Sequence, residues 1–180
     1  MKKILIICAS FRKNGNSAML AEEFKRGAIE SGNEVETVYL ADSSISFCKG
    51  CLACQKLHRC VINDDAIMIA EKMKNADVVV FSTPVYYYSI SGQLKTMLDR
   101  ANSLYCCDYK FRQVYLLLSA AEDEDETAKG SVSDIKGWVD CFEKARFSGT
   151  VFAGGVTNPG DIKGHKALAE AYAMGNSIKP

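Results

Sequence analysis

The chain has 180 residues, 48% of them apolar and 24% charged, with 22 basic and 22 acidic side chains. That length suits one domain and that composition an ordinary core, which excludes a disordered chain. A net charge of zero excludes the broad basic field that nucleic acid or an anionic membrane surface requires, and no apolar run approaches the ~18–20 residues of a membrane helix.

Lys3–Cys8 (KILIIC) reads as a strand apolar on both faces. Its Ile4–Ile7 run is too short for a signal-peptide core, so a cytoplasmic protein is expected. Ser17 to Ser31 carries Leu20, Phe24 and Ala28 on one helical face. Glu34–Leu40 alternates, as a strand near a sheet edge does. Asp64 or Asp65 can cap a helix running to about Asn75. Asp77–Ser82 is a buried strand, and Ser91 to Asn102 a helix with Leu94, Met97, Leu98 and Ala101 inward. Gln113–Ser119 is a further buried strand. Ser133 can cap a helix with Ile135, Trp138, Val139 and Phe142 inward, Thr150–Ala153 is a weaker strand, and Ala167, Leu168, Ala171 and Tyr172 line a last helix stopped by Gly175-Asn176. Five strands, most of them continuous apolar runs, separated by five helices predict one doubly wound α/β domain over residues 1–180, its parallel sheet covered on both faces.

In such a sheet ligands bind beyond the carboxyl ends of the strands, where strand order reverses. Three loops leave those ends. The first, Ala9 to Ser17, opens a helix, whose free N–H groups suit a phosphate. Ser10 and Ser17 add hydroxyls, Asn16 an amide and Arg12 a charged fork, with Lys13 expected to matter less. The dinucleotide and P-loop glycine patterns are absent, and Cys8 and Arg12 are too close for a cysteine-phosphatase loop, so the loop suits a terminal monophosphate. The second loop runs Thr83, Pro84, Val85, Tyr86, Tyr87, Tyr88. Its aromatic, backbone-rich character suits a planar heterocycle. In the third, Ser119, Ala120 and Ala121 are small enough to let backbone approach a ring edge, and the acids Glu122–Glu126 form a solvated turn. No catalytic constellation of His, Cys or paired carboxylates is visible, and His58 and His165 read as surface residues.

The cysteines Cys48, Cys51, Cys54 and Cys60 are spaced C-x2-C-x2-C-x5-C. Three closely spaced thiolates plus a fourth suit a cubane cluster, and four suit tetrahedral zinc. Lys49, Lys56, His58 and Arg59 make the segment polar and reachable by solvent, which favours free or reversibly oxidised thiols and no bound metal. Cys8, Cys106, Cys107 and Cys141 read as ordinary small hydrophobes.

The run S-F-R-K-N-G-N-S after the first strand resembles S-P-R-x-x-G-N-[ST], and Thr83 through Leu94-Lys95 to Leu98-Asp99-Arg100 resembles P-x-Y-x…L-K-x-x-[LI]-D-R. Both are motifs of the NADPH-dependent FMN reductases, a flavodoxin-like group that includes iron–sulfur flavoproteins. The resemblance implies a five-stranded sheet in order 2-1-3-4-5 with FMN at the edge described above. It implies NAD(P)H as co-substrate, a small acceptor such as a quinone, flavin, nitro or azo compound, and chemistry carried by the flavin. A carrier with FMN, with or without [4Fe–4S] on the four cysteines, is the alternative. A homodimer or higher homo-oligomer is expected, since a flavin at an exposed sheet edge needs a cover. Ala9 and Phe11 depart from the usual Gly and Pro, which the loop tolerates if Ala9 keeps a negative φ.

Overall fold

The strand β1 (Lys3–Cys8) is buried at every position after Lys3, and its alternation explains why. Ile4 and Ile6 join a cluster with Leu20, Phe24 and Ala171, whereas Leu5 and Ile7 join another with Ile69, Met73 and Leu94. Each such side chain contributes about 1.5–3 kcal/mol on burial, so both faces of the strand must be covered by helices. In this computed structural model residues 1–12 and 14–180 are described; Lys13 lies outside the described residues.

The other strands are β2 (Glu34–Tyr39), β3 (Val78–Tyr86), β4 (Ser89–Ile90), β5 (Gln113–Ser119) and β6 (Arg146–Ala153). The sheet runs β2-β1-β3-β5-β6, and β4 pairs antiparallel with the end of β3. Setting aside the two-residue β4, this is the expected 2-1-3-4-5, with all main pairings parallel. Helices α1 (Asn16–Glu30) and α6 (Lys166–Asn176) cover one face. The other face carries α3 (Ala66–Asn75), α4 (Gly92–Arg100) and α5 (Lys129–Val139), and the five-residue α2 (Ala53–Leu57) sits in the cysteine segment. Among the described residues no helix is long and apolar enough to cross a membrane.

Several boundaries differ from expectation. β3 continues through Thr83, Pro84 and Val85, which read as loop. Pro84 is tolerated because β1 pairing ends at Cys8 and Ser82, so the missing N–H faces no partner there. β6 begins at Arg146, and a bulge between its Phe147 and Gly149 pairings breaks the alternation of its first half. Helix α5 starts before Ser133, which therefore lies inside it. Gly175 lies inside α6 and does not stop it: a Cβ there would stand 2.1 Å from the Phe24 carbonyl oxygen, and one on Gly27 would stand 2.1 Å from that of Tyr172. The two glycines let α1 and α6 touch backbone to backbone. His165 caps α6, its Nδ1 accepting from the Ala167 N–H at 3.1 Å, while His58 is exposed as expected.

Candidate functional site

Strand order reverses between β1 and β3, so the chain leaves these two neighbours for opposite faces. At this point a cavity of about 460 Å³ opens, lined by Phe11 after β1, Leu40 and Ile45 after β2, Phe47, Tyr86 at the end of β3, and Thr96. Its volume falls within the few hundred Å³ typical of a small-molecule site, and its walls are largely apolar and aromatic. A larger groove of about 700 Å³ follows α3 and reaches Lys3–Leu5, at the amino end of β1. Acidic and basic side chains both line it, and it lies away from the switch point, so the smaller cavity is the better candidate.

Beside that cavity the β1–α1 loop is tightly folded. Ala9 has no positive φ, as the loop requires, and its N–H continues the sheet to Ser82 O at 2.8 Å. The Ser10 hydroxyl accepts from the Arg12 N–H at 3.3 Å. A Cβ on Gly15 would lie 2.8 Å from Ser10 Oγ and 3.0 Å from Arg12 O, so a larger residue would press on this turn. Ser17 is buried at the first turn of α1, where its carbonyl accepts from Ser82 Oγ at 2.6 Å. Exposed Arg12 donates to Thr157 O at 2.8 Å. Asn16 donates to Asn158 O at 3.0 Å and accepts from the N–H of Gly160 and Ile162. Asn16 therefore pins the loop after β6 against the β1–α1 loop.

The tyrosine segment is divided. Pro84 and Val85 are half-buried in β3, Tyr86 lines the cavity, and Tyr87 and Tyr88 turn through the left-handed region with φ of 49° and 63°. Residues that sequence reasoning passed over hold this turn. Asp134 of α5 accepts from Ser89 Oγ at 2.6 Å and from the Ile90 N–H. A Cβ on Gly130 would lie 1.9 Å from Tyr88 O. Glu122, hydrogen-bonded to the Tyr88 hydroxyl, raises that phenol's pKa. Ser119 and Ala120 are buried, and the Ala120 N–H and carbonyl are both engaged, with Ala153 and Val156. The Ala121–Glu126 turn is exposed, as expected.

Cys48, Cys51, Cys54 and Cys60 line one small cavity of about 30 Å³ together with Arg100 and Asn102. That volume is roughly one water's share, and its outer wall is the exposed stretch around Cys48 and Cys51, which has no regular structure. Among the described residues no three His, Cys, Asp or Glu side chains converge as ligands of a metal ion. The neck of the segment is closed by a buried ion pair, Arg100 Nη1 and Nη2 to the Asp64 carboxylate at 2.6 and 2.7 Å. Arg100 also donates to Ser46 O at 2.7 Å and Ile62 O at 3.1 Å. Burial alone would raise the Asp64 pKa, but the Arg100 bonds and the Ser46 and Ala66 N–H groups outweigh it and hold the carboxyl below its ordinary value. Cys8, the last residue of β1, is fully buried, and burial pushes its thiol up to about 11.

Residues 2–124 match the family described as NADPH-dependent FMN reductase. An iron–sulfur flavoprotein of Methanosarcina thermophila is 30% identical over 172 residues, covering 93% of this chain and 90% of that one. One from Methanocaldococcus jannaschii is 38% identical over 102 residues, 57% of this chain and 53% of its own. For that protein and two from Archaeoglobus fulgidus, the match spans only about half of the relative's length. The solved structure of an NAD(P)H:quinone oxidoreductase from Methanothermobacter marburgensis superposes with a TM-score of 0.80 at 19% identity, over 99% of this chain and 96% of that one. At that identity the likeness establishes a shared fold.

Proposed function

The chain belongs to the NADPH-dependent FMN reductase family, and we propose that it is an FMN-dependent oxidoreductase moving electrons from NAD(P)H to a small acceptor such as a quinone, a flavin, or a nitro or azo compound. One observation carries this reading: the β1/β3 switch point places the folded β1–α1 loop and an aromatic-walled cavity side by side. The residues fit FMN. Ser10, Ser17, Arg12 and the first N–H groups of α1 suit the phosphate. Asn16 shapes the cradle by holding the 157–162 loop. Tyr86 and Phe11 offer planar faces for the ring, with Pro84 and Val85 carrying the chain past it. When bound, FMN supplies hydride acceptance from the nicotinamide and onward electron donation. The protein orients the ring and excludes water from one of its sides. Tyr87, Tyr88, Ser119 and Ala120 act at the edge of this site. Under nitrogen, the flavin absorbance of the loaded protein is expected to bleach on addition of NADPH or NADH. Failure with both nucleotides, alongside reduction by a ferredoxin, would assign it instead as a carrier that docks to protein partners.

The cysteine segment supports a second group. Its four thiols line one cavity, a side-chain amide and a main-chain N–H point at two of the sulfurs, and the two named relatives are iron–sulfur flavoproteins. On this reading Cys48, Cys51, Cys54 and Cys60 hold a [4Fe–4S] cluster that supplies one-electron exchange. Anaerobically purified protein should then contain about four iron and four acid-labile sulfide per chain. Zinc in place of iron, or titratable thiols with no metal, would overturn this reading and leave the flavin assignment intact.

A further inference from the structure

Arg100 is buried, with its side chain wholly inaccessible to solvent. Its two terminal nitrogens are fully used at the neck of the cysteine segment. Its Nε is different. It is buried and has no hydrogen-bond partner, although an unpaired buried donor ordinarily costs about 1–3 kcal/mol. Arg100 and Cys60 both line the four-cysteine cavity. Two residues on, half-buried Asn102 donates from Nδ2 to Cys54 Sγ at 3.2 Å. From within the segment the Gly50 N–H donates to Cys48 Sγ at 3.4 Å. Donors therefore reach this cavity from both walls, and Asp99 is the carboxylate that shares its lining.

N–H donors on two of the four sulfurs are arranged for negative charge on those sulfurs. A cluster held by four thiolates is anionic and becomes more so on reduction. N–H donors to the sulfurs favour the more negative state and so raise the reduction potential. We propose that Arg100 is the positioning residue of the cysteine site, by closing its neck, and that Asn102 is its potential-setting residue, by donating to Cys54. This inference rests on the cluster reading given above. The Arg100–Asp64 pair has a second consequence. Because it joins Ser46 to Ile62 and Asp64, it fixes the distance between the two ends of the segment and so the spread of its cysteines.

The test uses anaerobically purified, FMN-containing protein and compares the parent with Asn102→Ala, Asn102→Asp and Arg100→Gln. Iron, sulfide and FMN are counted, and the cluster midpoint is measured by potentiometric titration. Asn102→Ala should keep iron and FMN and shift the midpoint to a more negative value. Asn102→Asp should shift it further in the same direction, an order that loss of a merely structural contact would not produce. Arg100→Gln should lose most of its iron while retaining FMN. Should Arg100→Gln fail to fold, the two Asn102 variants still decide the matter. A parent that contains iron, with midpoints in both Asn102 variants equal to its own, overturns this proposal and spares the cluster reading. A parent containing FMN and no iron overturns both.

Discussion

At the scale of single residues, the site depends on side chains whose neighbours give them one role. Arg12 is the cation described in the β1–α1 loop, and it is exposed on the side of the α1 start. Losing a charge-assisted hydrogen bond costs about 1.5–3 kcal/mol. Arg12→Ala should therefore weaken FMN binding by about ten- to a hundredfold, measured by fluorescence titration. An unchanged affinity would remove Arg12 from the phosphate site. Asp64 illustrates a different role. Replacing it with Asn would leave the buried Arg100 charge without its carboxylate, at a cost of about 3–5 kcal/mol. The Asp64 pKa is depressed in the folded state, so its contribution to stability is present above the ordinary carboxylate pKa and lost as pH falls through the depressed value. Urea denaturation should show Asp64→Asn well below the parent at pH 7. The gap should close only as the pH falls below about 4.

At the scale of elements, two contacts are made by backbone because glycine leaves room for it. Gly27 and Gly175 each face a carbonyl oxygen of the opposite helix. In Gly175→Ala the new Cβ would force α1 and α6 apart, opening the core around Phe24 and Ala171. Overpacking of this kind costs about 1–3 kcal/mol, which should appear as a lower urea midpoint with FMN binding largely retained. A midpoint equal to the parent's would show that the helices can separate without loss. The tyrosine turn is built in the same way, since Gly130 of α5 lets Tyr88 O approach and Asp134 fixes Ser89. The orientation of Tyr86 toward the cavity therefore depends on a helix more than forty residues further along the chain.

At the scale of the whole molecule, apolar surface gathers around the candidate site. Tyr87 is 100% exposed and Phe47 80%, and Phe11, Tyr86 and Tyr88 are also exposed nearby in the fold or chain. Side chains of this kind at one edge of a monomer suit an interface between subunits. A second copy related by a twofold axis would cover them and close the open side of the cavity. Light scattering at micromolar concentration should give twice the chain's 19.7 kDa. Tyr87→Ser should shift the protein toward the monomer, and a parent mass of one chain would rule out the covering subunit.

The sequence by itself determined the alternation of strands and helices, the burial of β1, β3 and β5 on both faces, the parallel sheet, and the loop from Ser10 to Ser17. These rest on residue types and spacing within a few positions, and local propensity and hydrophobic period are properties of short segments. It also located the four cysteines, because their spacing is local. It did not show that β3 carries Thr83 to Tyr86 as strand, since Pro84 and three tyrosines resemble a loop until the neighbouring strands are in place. Only the tertiary structure decided that Asn16 pins the loop after β6, that Asp134 and Gly130 hold the tyrosine turn, and that Gly27 meets Gly175's helix. It also decided that Arg100, read in the sequence as the end of a motif, reaches Asp64 and Ser46 across separations of 36 and 54 residues. The physical reason is common to all four. Each contact joins segments whose proximity is set by strand order and helix packing, and neither is encoded in the spacing of the residues that meet.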